Sequence, residues 1–173
     1  MGSFRHARFA GPQPGGSLTS VSVAPKIPGE ATGVSADGAT IVGWVERAQT
    51  NRVRAFRWTP SGGLQELGTL GGDSSQATGV SADGSVVAGW AENASGKVRA
   101  FRWTASGGMQ DLGALGGDES EAVACSADGT TVVGWSYDSA GNGRAFRWTA
   151  SGGMVNIGTL PGGGYSEARG ITA

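Results

Sequence analysis

Short apolar or alternating runs, four to seven residues long, recur along this chain between polar and Gly-rich breaks. Runs of that length bounded by turn residues predict β-strands. The first strand of a recurring set covers Ala31 to Ala36, with copies at Ala77 to Ala82 and Ala122 to Ala127. Asp-Gly follows each at once, which predicts a tight type I′ hairpin turn. The second strand is Thr40 to Trp44, then Val86 to Trp90 and Thr131 to Trp135. Polar loops come next at Glu46 to Arg52, Glu92 to Lys97 and Tyr137 to Asn142, and they vary most between copies. Variable loops on a repeated frame point to surface positions that carry individual function. The third strand is Val53 to Thr59, with copies at Val98 to Thr104 and Gly143 to Thr149. Period 2 puts Arg54, Phe56 and Trp58 on one face and Ala55, Arg57 and Thr59 on the other. The fourth strand is Leu64 to Leu67, then Met109 to Leu112 and Met154 to Ile157. A turn at Ser61-Gly62 would place Arg57 opposite Glu66, a charge pair worth about 0.2–1 kcal/mol. A Gly-rich link then ends each unit at Gly71-Gly72-Asp73, Gly116-Gly117-Asp118 and Pro161-Gly162-Gly163-Gly164. No stretch shows helical periodicity.

The set repeats every 45 to 46 residues, over 33–78, 79–123 and 124–169. A partial unit stands in front at 17–32, and 170–173 repeats the opening of a unit. Residues 1–16 read as an irregular leader or a degenerate partial repeat, and Ser17 to Val23 as one more strand. Four short antiparallel strands per unit of this length is the period of a β-propeller blade. The expected fold is therefore all-β, a propeller of four-stranded blades, with a wide β-solenoid as the alternative. Three and a fraction units do not easily close a ring, since propellers use about four to eight blades. The ring is expected to be completed by homo-oligomerisation, or the chain to be a fragment of a longer array.

Arg-Ala-Phe-Arg-Trp-Thr, Leu-Gly-Thr-Leu-Gly-Gly-Asp and Val-Ser-Ala-Asp-Gly followed by Val-Gly-Trp recur in register. These blocks resemble the HAF repeat of predicted extracellular bacterial proteins, named for its His-Ala-Phe triplet. The His position is held here by Arg54, Arg99 and Arg144. The resemblance covers Ala31 to Ala173 and implies export or surface display and a propeller-like array. It implies no activity.

Composition narrows the function. A net charge of −1 with no basic stripe argues against nucleic-acid binding. No window of 18 apolar residues suggests a membrane span. Cys125 is the single cysteine, so no internal disulfide forms, and its strand position predicts a buried, inert thiol.

The chemistry-bearing residues each have two readings. Trp44, Trp90 and Trp135, at strand ends beside the variable loops, suit sugar stacking; Trp58, Trp103 and Trp148 suit packing between blades, and packing is open to both series. Arg54, Arg99 and Arg144, with Arg57, Arg102 and Arg147, suit either anionic ligands or pairing within the sheet. Asp37, Asp83 and Asp128 read as turn residues; the Asp box of sialidase-type propellers has a spacer before its Gly that is missing here. The acidic run Gly116 to Glu121 is the one place for calcium, without the spacing of a calcium repeat. Asn93-Ala94-Ser95 matches a glycosylation pattern at chance level. His6 is the only histidine and lies in an irregular segment, so no Ser–His–Asp, Cys–His or zinc set is built. The expectation is a non-catalytic binding or scaffold protein without cofactor or metal. Its partners would be further copies, a glycan or a cell surface. The rivals are a lectin-like propeller and a glycan-degrading enzyme.

Overall fold

The structure is a computed structural model that describes residues 28–47 and 50–172. The leader 1–16, with His6, and the strand Ser17 to Val23 lie outside the described residues. The described residues form twelve strands and no helix. Strands β1 (Gly29–Val34), β2 (Ile41–Arg47), β3 (Arg52–Thr59) and β4 (Gly63–Glu66) make the first sheet. The second holds β5 (Gly71–Val80), β6 (Val86–Asn93), β7 (Val98–Thr104) and β8 (Gly108–Asp111). The third holds β9 (Gly116–Cys125), β10 (Thr131–Asp138), β11 (Gly143–Thr149) and β12 (Gly153–Asn156). Each sheet is an antiparallel meander in chain order. Each is a propeller blade, and among the described residues the sheets are separate four-stranded meanders rather than the continuous coils of a solenoid.

The blades pack face to face, which is why their strands carry apolar residues on both sides. Val42, Ala55 and Leu67 of the first blade meet Val87, Phe101 and Trp103 of the second. Ala88, Ala100 and Leu112 of the second meet Val132, Phe146 and Trp148 of the third. Phe101 and Phe146 are fully buried, and each contributes roughly 1.5–3 kcal/mol of transfer free energy. Along the first strands, the Thr32 hydroxyl donates to the Ala77 carbonyl at 2.7 Å and Thr78 to Ala122 at 2.8 Å.

Local chemistry sets several boundaries differently from the strand pattern. The Asp-Gly turn is not a two-residue type I′ turn. Gly38 N–H donates to the Ser35 carbonyl at 3.0 Å and Ser35 N–H to the Thr40 carbonyl at 2.9 Å. Ala36 and Asp37 are then the central residues, and Gly38 alone is left-handed, at φ 72°. The Ser35 hydroxyl donates to Asp37 Oδ1 at 2.6 Å and accepts from Thr40 N–H at 2.9 Å. That bonding favours the wider loop.

The third-to-fourth strand hairpin is also one residue wider than the pattern suggested. Thr59 pairs with Gly63, so three residues form the loop and Gly63 takes a φ of 64°. This is the three-residue loop with a left-handed Gly. It moves Glu66 opposite Phe56 and Arg57 opposite Gln65, so the expected Arg57–Glu66 pair does not form. Glu66 instead meets Arg47 at 3.1 Å. The same shift places Asp111 opposite Phe101 and Asn156 opposite Phe146.

The Gly-Gly-Asp segments open β5 and β9 rather than linking units, whereas 161–164 lies outside any strand. Glu92, Asn93, Tyr137 and Asp138 belong to strands, which shortens the second and third variable loops to 94–97 and 139–142.

Candidate functional site

Trp44, Trp90 and Trp135 stand in the middle of β2, β6 and β10 rather than at strand ends, each half-buried as Trp58 is. They lie opposite Ala55, Ala100 and Ala145 on the next strand. On the other side they face Glu30, Gln76 and Glu121. Trp44 and Trp90 share their faces with residues that pack on the following blade, Val42 beside Trp44 and Ala88 beside Trp90. Arg54, Arg99 and Arg144 share the opposite face of their own blades, beside Phe56, Phe101 and Phe146. Stacking therefore puts Trp44 with Arg99 in one inter-blade slot and Trp90 with Arg144 in the next.

The arginines differ in partners. Arg144 Nε donates to Asp138 Oδ2 at 3.1 Å, and Arg54 donates to the Val53 carbonyl at 3.2 Å. Arg99 Nε is buried without a partner among the described residues. Burial pushes the Glu121 carboxyl up, against the pull of the neighbouring Trp135 side chain, and Glu167 adds like charge. Trp135 also meets Tyr137 edge-on, with ring centroids 5.2 Å apart.

The second tryptophan series does something else. Trp103 and Trp148 are 5% exposed and sit in the inter-blade cores, while Trp58 is half-buried. The second arginine series also binds blade to blade. Arg57 Nε donates to the Gly84 carbonyl and Arg102 Nε to the Gly129 carbonyl, both at 3.1 Å.

Asp37, Asp83 and Asp128 close their own turns. Ser35, Ser81 and Ser126 donate hydroxyls to them at 2.6, 2.6 and 2.5 Å. Those serine hydrogen bonds, followed by backbone N–H donors, hold all three carboxyls below their usual range, Asp83 to about 2. In the acidic run, Asp118 pairs with Lys97 at 3.2 Å, and the described residues form no cluster of three or more metal-ligating side chains. Cys125 packs half-buried against the second core, and burial pushes its thiol up to about 11.

Two repeated series escaped the strand pattern. Ser75 and Ser120 are fully buried. Each accepts an N–H from the preceding blade, Ala55 at 3.0 Å and Ala100 at 2.9 Å, and donates to Gly68 or Gly113 at 2.6 or 2.5 Å. Ser166 repeats this with Ala145 and Gly158, both at 2.9 Å. Glu30, Gln76 and Glu121 form the other series, at one spacing ahead of each Asp-Gly site, and Glu167 holds the equivalent place in the next copy. Their fixed spacing was the available signal; it was hidden because the Gly-Gly segments looked like links.

No family model matches the chain, and no curated protein matches it. Among solved structures it is similar to TolB from Acinetobacter baumannii, at TM-score 0.58 and 16% identity over 79% of this chain and 33% of that one. It is also similar to a TolB-type structure from Agrobacterium tumefaciens, at TM-score 0.61 and 17% identity over 80% of this chain and 48% of that one. The chain thus spans about a third to a half of these relatives' length. At such identities the likeness carries the fold alone: the three sheets are consecutive blades of β-propeller type.

Proposed function

We propose that this chain is a non-catalytic binding or scaffold module of propeller type, built from HAF-like repeats and displayed outside the bacterial cell. One observation carries the binding role. A half-buried Trp recurs in every blade, mid-way along a strand that runs into a loop whose sequence changes from copy to copy. The frame is constant and the rim is not, which suits partner recognition by loops on a rigid scaffold. The repeated aspartates support the non-catalytic part, since each is committed to its own turn. Display outside the cell rests on the motif resemblance alone.

The test is retention of bacterial envelope fractions on the immobilised chain. Replacing 94–97 and 139–142 with Gly-Ser turns should abolish retention; unchanged retention would discard the loop-borne role.

Trp90 and Trp135, half-buried but with part of each ring open to solvent, favour one second reading, a carbohydrate-binding propeller. Soluble glycans would then shift tryptophan fluorescence saturably, and Trp135→Ala would remove the shift. New reducing ends in the same mixtures would instead mark a glycan-degrading enzyme.

A further inference from the structure

The second and third variable loops share one shape but not one charge. Each spans four residues between its strands, 94–97 and 139–142. Each closes with an N–H to carbonyl bond at 2.9 Å, from Asn93 to Lys97 and from Asp138 to Asn142. The side chain that opens the loop also caps it. Asp138 Oδ1 accepts from the N–H groups of Ala140 and Asn142, both at 2.9 Å, and Asn93 Oδ1 accepts from Ser95 and Lys97 at 2.9 and 3.1 Å. The remaining atom is where the two loops part. Asp138 Oδ2 accepts from Arg144 Nε at 3.1 Å, six residues on. Arg99 stands at the same spacing from Asn93, whose remaining atom is Nδ2 and can only donate.

One Asp-to-Asn difference thus sets Arg99 against a second donor. Arg99 Nε is buried with no hydrogen-bond partner, and Asn93 Nδ2 makes no hydrogen bond among the described residues. A buried charged donor without an acceptor is costly, so the place calls for one. The carboxylates at this end of the blades are engaged elsewhere. Glu92 accepts from the N–H groups of Asp73 and Ser74 at 3.0 and 3.1 Å, Asp73 pairs with Arg52 at 2.8 Å, and Asp118 pairs with Lys97 at 3.2 Å. Glu30 and Glu46 stand on the facing wall of the slot, in register with Trp44 and Val53, and neither reaches Arg99 Nε. The second blade is packed on both sides, by the first and by the third, so the lone donor does not arise at a bare edge.

We propose that Arg99 and Asn93 form a carboxylate subsite that takes the acid group of an anionic sugar. The pairing of Asp138 with Arg144 is its pattern within the same chain. One ligand oxygen stands as Asp138 Oδ2 does, accepting from Arg99 Nε, and Asn93 Nδ2 donates to the other. A carboxylate is favoured over a neutral group because charge-assisted hydrogen bonds are roughly twice as strong as neutral ones. The sugar follows from Trp44, which shares the slot with Arg99 and offers a half-buried indole for a ring to stack on. That choice rests on the carbohydrate reading above; the carboxylate subsite does not. The slot between the second and third blades does not take the same ligand, since Asp138 already occupies Arg144 and repels a second carboxylate. The arginine series is therefore not a set of equal sites.

The experiment titrates the full chain with D-glucuronate, D-glucose and acetate by isothermal calorimetry at fixed ionic strength. Glucuronate should bind with a dissociation constant on the order of 1 mM, as two charge-assisted hydrogen bonds would supply. Glucose should bind about tenfold more weakly or less. Asn93→Asp provides the acceptor from within the chain, so it should weaken glucuronate about tenfold and raise the urea midpoint. That variant copies Asp138 and keeps the loop cap, so lost binding with a raised midpoint is not unfolding. Glucuronate binding untouched by Asn93→Asp, or no saturable glucuronate binding at all, would overturn the subsite. Equal binding of glucose and glucuronate, insensitive to Asn93→Asp, would overturn it too while leaving the carbohydrate reading in place. Acetate binding as tightly as glucuronate, and lost in Asn93→Asp, would sink the sugar assignment and keep the carboxylate subsite.

Discussion

Arg57 Nε donates to the Gly84 carbonyl across the first blade boundary at 3.1 Å, and Arg102 repeats the bond to Gly129 at 3.1 Å across the second. The third-strand arginines are therefore joints between blades rather than cross-strand partners within one. Replacing Arg102 with Ala leaves a turn carbonyl without its charged donor. The loss should be about 1–3 kcal/mol in urea unfolding. Arg147→Ala, at a position with no partner among the described residues, should change stability by less than about 0.5 kcal/mol. Equal losses at both positions would remove the joint.

Ser120 is the neatest case of a buried polar group with two duties. It accepts from Ala100 N–H and donates to the Gly113 carbonyl. Ser120→Ala strips partners from both backbone groups at a fully buried site. A loss of about 1–3 kcal/mol is expected, read as a lower urea midpoint at unchanged slope. Ser166→Ala removes the same bonds at a half-buried site, where water substitutes, and should cost less.

These joints mark what the sequence could and could not show. Repeat period, strand order and strand type were legible, because hydrophobic alternation and the recurrence of Phe-Arg-Trp depend on local geometry alone. The hairpin register was not. Whether Ser61-Gly62-Gly63 closes with two or three residues depends on which Gly takes positive φ, and both can. Arg57 was misassigned as a result. Trp44 and Arg99 could be named separately, but their shared slot appears only once blades stack, 55 positions apart in the chain. Ser120 looked like part of an acidic loop because its partners, Ala100 and Gly113, are fixed by blade packing.

Close backbone approach explains the Gly of each Gly-Trp pair. A Cβ on Gly89 would overlap the Gln76 carbonyl oxygen and stand 2.9 Å from both Ala77 Cα and Phe101 Cε1. None of these is the free end of a flexible chain, so the strands must part. Gly89→Ala should cost roughly 1–3 kcal/mol. Gly164→Ala, where nothing lies within 4 Å, should be neutral to within about 0.5 kcal/mol.

Cys125 offers a kinetic readout of the second core. Its thiol is pushed up to about 11 by burial, so little thiolate exists at pH 8. Iodoacetamide should label the native protein far more slowly than the urea-unfolded one. Ser120→Ala should speed native labelling if it loosens that boundary. Fast labelling of the native wild type would contradict the burial.

Acid should act on the turns in a direction that can be worked out. The Ser81 hydroxyl, followed by Ser85 donors, lowers the Asp83 carboxyl from 3.8 to about 2. A carboxyl depressed in the folded state stabilises the fold above its unfolded value and loses that contribution as pH falls through the folded one. The window is therefore from 3.8 down to about 2, and Asp37 and Asp128 shift in the same direction. Glu121 opposes them. Its raised carboxyl favours the fold when protonated, a contribution present below the unfolded value of 4.5 and lost as pH rises through the folded one. Thermal melts from pH 6 to 2 should thus show a net fall in stability through the lower part of the range. Asp83→Asn should flatten that fall, and Glu121→Gln should steepen the net loss on acidification by removing the opposing contribution. A melt profile unchanged by Asp83→Asn would mean that the Ser81 bond is equally available in the unfolded chain.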